Sequence, residues 1–252
     1  SFLEQKGNVY TFLNPVSYID ALHQKYIFTR FDGIFADGSL LVAAIRLLYG
    51  KKVKRRSFDM TSIAPQLFEY AIENNKSIYI VASKQEQVER AVEIFKELYP
   101  NLNIIGYRNG YFNNEEEQDE EAQKIVSLQP DFLIVGMGVI MQEKFLLKVK
   151  DAGYKGIGFT CGGFIHQTAA NQIDYYPQWV DKMNLRFLYR FIKEKHTRKR
   201  YLKAAFVFPI VFLKELIASF NNIYFISLFV QHIKYFINGL KLHYNPNISN
   251  FC

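Results

Sequence analysis

An aspartate and a glycine stand just ahead of a helix-like segment, a combination that could carry out acid–base chemistry. Asp37 and Gly38 precede apolar residues that recur at helical spacing between residues 40 and 48, and Gly50 would end that helix. A carboxylate at a helix N-terminus lies beside free backbone N–H groups, which also favour bound anions. Asp37 is therefore predicted to be a general base, with simple capping of the helix as the alternative.

Strand-like and helix-like segments alternate in the part of the chain that follows Asp37. β-rich runs cover residues 77–82, 103–106, 132–135 and 156–160, and helical patterns cover residues 85–98 and 115–128. This alternation predicts an α/β fold with a Rossmann-like, mainly parallel sheet flanked by helices. Sheets of this type bind ligands beyond the carboxyl ends of their strands. The loops at Gly106, Gly136 and Gly162 are therefore candidate parts of a site.

The net charge of +7 is concentrated towards the C-terminus. Between residues 186 and 203 eight basic residues are opposed by Glu194 alone, and Leu185, Leu188, Tyr189 and Ile192 share one helical face. This pattern is typical of a basic amphipathic helix. Its partner could be an anionic lipid surface, a nucleic-acid backbone, the diphosphate of a substrate, or only solvent.

The stretch after the basic segment is apolar and aromatic. Residues 204–213 are too few to span a bilayer and include Pro209, and residues 216–233 carry no formal charge but several aromatic side chains suited to a membrane interface. We expect residues 185–252 to form a helical, basic and aromatic appendage that attaches peripherally to a membrane, and residues 1–184 to form the core. Packing of the aromatic side chains on the core or on a second subunit is the alternative, so a homo-oligomer stays open.

Missing motifs weaken several other enzyme classes. Gly136-Met-Gly138 follows a predicted strand, but Met141 takes the place of the third glycine of the dinucleotide-binding fingerprint. The P-loop, the nucleophile elbow and the zinc-protease helix are absent from the sequence. Cys161 and Cys252 lie far apart and form no metal-ligand spacing. The sequence therefore predicts no cofactor and no metal, and it favours a reducing cytosol with no secretion signal.

A series of short motifs runs in order through most of residues 11–190. The series comprises Asn14-Pro15, Ala36-Asp37-Gly38, Asp59, Leu98-Tyr99-Pro100, Gly106-Tyr-Arg-Asn-Gly-Tyr-Phe112, Gly136-Met-Gly-Val-Ile-Met-Gln-Glu-Lys144, Gly162-Gly-Phe164, Tyr176-Pro-Gln-Trp179 and Asn184-Leu-Arg-Phe-Leu-Tyr-Arg190. Together these motifs resemble those of the WecG/TagA/CpsF glycosyltransferases of bacterial cell-surface polysaccharide synthesis. The departures include Ile140 in place of a proline, Ser57 and Phe58 ahead of Asp59, and Arg186 in place of a glutamate.

The resemblance implies a reaction. It is the inverting transfer of a sugar from a UDP-sugar donor to a hydroxyl of a polyprenyl-diphosphate-linked saccharide acceptor, without a cofactor or metal. The enzyme would work in the cytoplasm, peripherally attached to the inner face of the cell membrane, and would bind no nucleic acid. Asp37 is the expected base, and Asp32, also followed by glycine, is the competing assignment. The sugar and the pathway are not predicted.

The resemblance also implies roles for further residues. Thr11 and Asn14 are expected to hydrogen-bond sugar hydroxyls, and Gln142 with Glu143 to position donor or acceptor, although Gln142 could equally be an exposed residue at a helix start. Cations would stabilise the leaving diphosphate. The candidates are Arg55 and Arg56 in the core and Arg190, Arg198 and Arg200 in the appendage. The other expected substrate-binding residues are Asp59, Gly106, Gly110, Tyr111, Gly136, Gly138, Gly162, Gly163 and Gln167.

Two other functions remain open from the sequence. A noncatalytic basic module that binds membrane or nucleic acid would explain the charge without using Asp37. A nicotinamide-dependent oxidoreductase would use the glycines at Gly136 and Gly138, but their incomplete pattern disfavours it.

Overall fold

One parallel β-sheet organises the computed structural model of the protein, which describes residues 1–49, 52–171, 180, 183, 185–193 and 198–221. Within these residues the sheet has six strands in the order β2-β1-β6-β5-β3-β4, and every neighbouring pair is parallel. The strands are β1 (Val9–Leu13), β2 (Gly33–Ala36), β3 (Ser77–Ala82), β4 (Asn103–Arg108), β5 (Phe132–Gly136) and β6 (Ile157–Thr160).

Helices connect the strands and cover both faces of the sheet. They are α1 (Pro15–Leu22), α2 (Lys25–Phe28), α3 (Ser39–Tyr49), α4 (Ile63–Glu73), α5 (Gln85–Leu98), α6 (Glu115–Leu128), α7 (Met141–Asp151), α8 (Phe164–Asn171), α9 (Arg186–Lys193) and α10 (Arg198–Asn221). The α/β, Rossmann-like fold class expected from the alternation is confirmed. The strands and helices predicted between residues 77 and 160 are present, and so is α3. The elements that were not predicted are β1, β2, α1, α2, α4, α7 and α8.

The core has two layers because successive strand residues point to opposite faces. Ile78 and Ile80 of β3 belong to a cluster that α4, α5 and α8 complete, with Phe95 and Phe164 stacked at 5.5 Å between ring centroids. Tyr79 of β3 belongs to a second cluster, formed with α1, α2, α3, α6 and α7. Burial on both faces explains why the central strands read as continuous apolar runs.

The C-terminal helices pack onto the second layer. Ala204 and Phe208 of α10 are buried, and the Phe208 ring meets the Tyr18 ring of α1 edge-on at 5.9 Å. Nη2 of Arg200 lies 3.1 Å from Oδ2 of Asp20, also in α1. α10 further contacts α3 and α9. The described part of the appendage is therefore docked on the core.

In the predicted basic segment the structure describes α9 and the first turns of α10, and residues 194–197 lie outside the described residues. Pro209 lies inside α10. The aromatic side chains Phe220, Tyr224, Phe225 and Phe229 are also outside the described part of the chain. Among the helices that the structure describes, none combines the length and the hydropathy needed to cross a bilayer.

Candidate active site

Asp37 lies at the carboxyl end of β2, where the chain turns into α3. Its backbone N–H donates to the carbonyl of Leu13 at 2.8 Å, which continues the pairing of β1 and β2 by one residue. Gly38 makes the turn with φ of +104°, and a Cβ at that position would lie 3.4 Å from Cδ of Pro15. Glycine fits both requirements. The turn leaves the Asp37 side chain 33% exposed at the edge of the sheet.

A basic segment runs beside β2 and brings an arginine to Asp37. The backbone N–H of Arg56 donates to the carbonyl of Ala36 at 3.0 Å. Arg55 then lies with Nε 3.7 Å from Oδ1 of Asp37, and its Nη2 donates to Oγ of Ser57 at 3.3 Å. A positive charge is thereby held next to the candidate base.

A groove opens along one face of α3 next to Arg55. Its volume is about 630 Å³, and we call it the α3 groove; it is lined by Ser39, Val42, Ala43, Arg46, Leu47 and Arg55. Nε and Nη2 of Arg46 both donate to the carbonyl of Val53, at 3.0 and 2.7 Å. The sequence analysis missed Arg46. The spacing of the helical lining residues, at 39, 42, 43, 46 and 47, is that of one helix face and could have identified it.

A buried carboxylate lies below the carboxyl edge of the sheet. Oε1 of Glu143 accepts hydrogen bonds from Thr11 Oγ1 at 2.8 Å and from Gln142 Nε2 at 2.9 Å, and its Oε2 accepts from the Ile140 N–H at 2.6 Å. Oε1 of Gln142 accepts from the Gly162 N–H at 3.1 Å. We call these residues the Glu143 network. It joins β1, the start of α7 and the loop after β6.

The Glu143 network is shielded from solvent. Thr11 and Glu143 are 0% exposed and Gln142 is 4% exposed. Burial raises the pKa of Glu143 above the ordinary glutamate value, against the opposing effect of its hydrogen bonds. The alternative prediction of an exposed Gln142 is wrong, because its amide fills the space between α7 and the β6 loop. Thr11 and Glu143 therefore hold the loops after β5 and β6 in place from the protein interior.

Ile140 is held in an uncommon backbone conformation at the start of α7. Its φ is +73°, which a β-branched residue rarely adopts and which costs on the order of 1–3 kcal/mol. The hydrogen bond from its N–H to Glu143 accompanies this geometry. Backbone strain of this kind persists where surrounding contacts hold the residue in its unfavourable conformation.

The glycines at the carboxyl ends of β5 and β6 serve two different purposes. A Cβ on Gly136 would lie 2.7 Å from Cys161 Sγ and 2.9 Å from the carbonyl oxygen of Gly162, so Gly136 permits close packing of the two loops. Gly138 and Gly162 have φ of +84° and +55° and open space where a Cβ would be. Burial raises the pKa of the Cys161 thiol to about 12, which keeps that thiol protonated.

The loop after β4 is remote from Asp37. β2 and β4 are the two outer strands, and five strand spacings separate their ends by about 24 Å. Gly106, which was predicted in a loop, lies inside β4 because the strand continues to Arg108, and it packs on the Tyr79 ring, which a Cβ would meet at 2.4 Å. Gly110 donates its N–H to the Ser83 carbonyl at 2.8 Å. Tyr111 is 66% exposed. The structure does not bring these three predicted site residues to the candidate base.

The other predicted residues fall in distinct places. Asn14 caps α1 by accepting from the N–H groups of Val16 and Ser17 at 2.9 and 3.0 Å, one strand away from Asp37. Asp59 accepts from the Thr61 N–H at 2.8 Å in the turn before α4. Gly163 stands at the start of α8, in which Gln167 is buried.

Asp32 lies at the opposite edge of the sheet from Asp37. It precedes β2, accepts from the Val9 N–H at 2.8 Å and pairs with Lys150 Nζ at 2.7 Å. Its carboxylate therefore fastens the amino ends of β1 and β2 to α7. The structure thus separates Asp32 from the loops that carry the other candidate residues, which favours Asp37 as the base.

Comparison with known proteins assigns the chain to a family. The sequence model described as "Glycosyl transferase WecG/TagA/CpsF family" matches residues 1–222. The chain belongs to this family. It is 36% identical, over 82% of its length and 86% of the relative's, to a UDP-Gal:alpha-D-GlcNAc-diphosphoundecaprenol beta-1,4-galactosyltransferase of Shigella boydii.

More distant relatives carry a different specificity in their names. The chain is 26% identical to an N-acetylglucosaminyldiphosphoundecaprenol N-acetyl-beta-D-mannosaminyltransferase of Bacillus subtilis, over 80% of its own length and 78% of the relative's. An enzyme of the same name from Staphylococcus aureus is 24% identical over 67% and 65% of the two chains. The resemblance found in the short motifs is thereby confirmed, as is membership of a glycosyltransferase family.

In this WecG/TagA/CpsF member, two of the three predicted appendage arginines make contacts within the chain. Arg198 donates to the carbonyls of Phe191 and Ile192 at 2.9 and 3.0 Å and so joins α9 to α10. Arg200 pairs with Asp20. The side chain of Arg190 lies outside the described part of the structure.

The outward side of α10 carries a row of apolar side chains that we call the apolar stripe. It consists of Leu202, Phe206, Ile210, Leu213 and Ile217, which are 50 to 73% exposed. Their spacing of three and four residues places them on one helical face. Lys199, Lys203 and Lys214 are exposed on the same helix. Such a surface suits the boundary between lipid headgroups and acyl chains.

Proposed function

We propose that this protein is an inverting glycosyltransferase that moves a sugar from a UDP-sugar to a polyprenyl-diphosphate-linked saccharide. The product would be an intermediate of a cell-surface polysaccharide, such as a teichoic acid, a capsule, an exopolysaccharide or an enterobacterial antigen. Family membership and the undecaprenyl-diphosphate acceptors named for the relatives support the reaction class. The placement of Asp37 at the carboxyl edge, beside Arg55, is the observation that carries the mechanism.

Asp37 acts as the general base in the proposed reaction. Its carboxylate takes the proton of the acceptor hydroxyl as that oxygen attacks the anomeric carbon of the donor sugar. The bond between the anomeric carbon and the diphosphate breaks on the opposite face, so UDP leaves and the configuration inverts. A partly exposed carboxylate held by a turn at a strand end can meet a hydroxyl that arrives from solvent.

Cationic side chains stabilise the leaving diphosphate in this proposal. Arg56 lies on the segment that passes Asp37 and is the candidate for the leaving diphosphate, because arginine donates two parallel hydrogen bonds to phosphate oxygens. Arg55 pairs with Asp37 and lines the α3 groove, on the acceptor side of the site. The reaction would then proceed without a metal. Arg198 and Arg200 already have partners in α9 and α1, so a direct role at the diphosphate would require α9 and α10 to move.

The donor is proposed to lie across the carboxyl ends of β1, β6 and β5. Open space beside Gly138 and Gly162 supports this position. From the end of β2 to the end of β5 is three strand spacings, about 14 Å, the scale of a nucleotide sugar. The Glu143 network positions the loops after β5 and β6 without itself contacting the donor. Asn14 is the closest candidate for a hydrogen bond to a sugar hydroxyl.

The appendage is proposed to hold the enzyme on the cytoplasmic face of the membrane. The apolar stripe would enter the headgroup boundary and the lysines of α10 would meet anionic lipids. An acceptor anchored in the bilayer presents its sugar hydroxyl close to that surface. A peripheral enzyme could reach this hydroxyl without crossing the membrane.

Release of UDP tests the proposal. The full chain is incubated with a short-chain prenyl diphosphate bearing N-acetylglucosamine and with a panel of UDP-sugars, of which UDP-galactose comes first because of the Shigella boydii relative. We expect UDP release with one donor, and a 10²- to 10⁴-fold loss of kcat in Asp37→Asn. Asp151→Asn, an exposed aspartate at the end of α7, is the matched control. Full activity of Asp37→Asn would remove Asp37 as the base.

A further inference from the structure

The α3 groove combines apolar walls with two cations. Val42, Ala43 and Leu47 supply hydrocarbon, while Arg46 and Arg55 supply positive charge, and none of the described lining residues is acidic. Leu47 is 72% exposed, so its side chain is accessible to a molecule bound in the groove. A ligand that suits these walls has an anionic head and a hydrocarbon chain.

The two arginines are fixed at the wall of the groove. Two N–H groups of Arg46 are anchored on the Val53 carbonyl, and a guanidinium carries five N–H donors, more than this anchor uses. Arg55 is anchored through Ser57 and Asp37. Preorganised guanidinium groups bind the oxygens of a diphosphate with little loss of side-chain entropy.

The position of the groove links the candidate base to the membrane surface. Arg55 lies beside Asp37 at one end, and Leu47 lies two turns of α3 beyond Ser39, about 12 Å along the helix axis. α10, which carries the apolar stripe, packs against α3. The groove and the apolar stripe therefore lie on neighbouring helices.

We propose that the α3 groove binds the prenyl diphosphate part of the acceptor, with the diphosphate at Arg46 and Arg55 and the first prenyl units along Val42, Ala43 and Leu47. The inference rests on the proposed function and names the acceptor side of that site. It places the acceptor sugar at Asp37. A nucleotide fits the groove less well, because its polar base and ribose would lie on hydrocarbon.

Direct binding tests the inference without turnover. Geranylgeranyl diphosphate, UDP and inorganic diphosphate are titrated into the full chain by calorimetry. The groove variants are Leu47→Glu, which places an anion on the hydrocarbon wall, and Ala43→Phe, which fills the groove from an exposed helical position. Leu98→Glu, at an exposed leucine at the end of α5, is the matched control. Circular dichroism and thermal melting confirm that each variant is folded.

We expect geranylgeranyl diphosphate to bind the wild-type chain. Its Kd should rise at least about tenfold in Leu47→Glu and Ala43→Phe, while the Kd for UDP is unchanged in both. Leu47→Met, which keeps the wall apolar, should bind geranylgeranyl diphosphate with the wild-type Kd. No binding of the prenyl diphosphate to the wild-type chain, an equal effect of Leu98→Glu, or a parallel loss of UDP binding would overturn the inference.

Turnover separates this inference from the proposed function. If sugar transfer occurs, the groove variants should raise KM for the lipid acceptor and leave KM for the donor unchanged. Transfer with an unchanged acceptor KM in both groove variants would refute the groove assignment and leave the glycosyltransferase intact. Binding of the prenyl diphosphate without transfer from any UDP-sugar would refute the donor class and leave the groove assignment intact.

Discussion

Replacing Glu143 by glutamine should destabilise the protein although the two side chains have the same shape. The carboxylate accepts hydrogen bonds at both oxygens, from Thr11 and Gln142 at Oε1 and from the Ile140 N–H at Oε2. A glutamine offers one accepting oxygen and one NH₂ group that only donates. In either orientation the NH₂ group faces a donor, so at least one buried donor loses its partner.

The magnitude follows from that single lost partner. A buried donor without an acceptor costs about 1–3 kcal/mol, and we expect the free energy of unfolding of Glu143→Gln to fall by that amount at pH 7. Glu143→Ala removes every acceptor of the network and adds a cavity, so its loss should be roughly 3–6 kcal/mol. The whole free energy of unfolding of a protein is about 5–15 kcal/mol, so the alanine variant could fail to fold.

The same carboxyl group should make the difference between wild type and Glu143→Gln depend on pH. Burial raises the pKa of Glu143 in the folded state, so the folded protein takes up a proton there more readily than the unfolded chain does. The stabilisation that comes from this proton uptake is fully present below the unfolded-state pKa of about 4.3 and is lost as pH rises through the folded-state pKa. Within that window the wild-type advantage should shrink by at most about 1.4 kcal/mol per pH unit.

Urea unfolding of the two proteins between pH 4 and pH 8, followed by circular dichroism, measures both effects. Glu120→Gln, at an exposed position of α6, is the control and should change the free energy of unfolding by less than about 0.5 kcal/mol. A Glu143→Gln protein as stable as wild type at pH 7, or a difference that grows with pH, would refute the role assigned to the network.

Two further predictions follow from the loops and the appendage. Gly136→Ala should lower the free energy of unfolding by about 1–3 kcal/mol in thermal or urea unfolding, because the new Cβ overlaps Cys161 Sγ. Adding Cys161→Ala should recover part of this loss. Additive losses in the double variant would contradict this packing. Lys199→Glu with Lys203→Glu should weaken binding to anionic vesicles at low salt, measured by sedimentation, by at least about 30-fold, since each lysine near the surface contributes about 1 kcal/mol. The control reverses Lys84 and Lys96 of the core, and equal binding by both double variants would exclude the electrostatic contribution of α10.

Local sequence was sufficient to predict those helices and strands whose residue patterns agree with the burial they have in the folded protein. α5 has the predicted bounds because it has a clear apolar face, and α6 has them because a run of helix-favouring glutamates begins after the cap residue Asn114 and stops before Pro130. β2 was missed because Asp32-Gly33 and Asp37-Gly38 both read as turns, which leaves too few residues between them for a strand pattern. Only pairing with β1 makes this segment a strand.

The candidate site shows the same division. The position of Asp37 in a turn before a helix could be predicted, since a turn residue and an apolar helical face are local features. The burial of Gln142 and Glu143 could not, because it depends on Thr11 in β1 and on Gly162 after β6, which are far away in sequence. Likewise, only strand order separates Tyr111 from Asp37, and local patterns do not encode strand order.

The strand order also determines when the domain can assemble during synthesis. β1 and β2 form one unit and β3, β4 and β5 another, and β6 is the strand that pairs with both. A nascent chain that has not yet emerged past residue 160 therefore exposes the edges of β1 and β5 that β6 will cover, and β1 must wait for its second partner, nearly 150 residues away. Folding of this sheet should be completed late, in one step, when β6 leaves the ribosome. A chain truncated before β6 should accumulate as two unpaired sheet fragments prone to association.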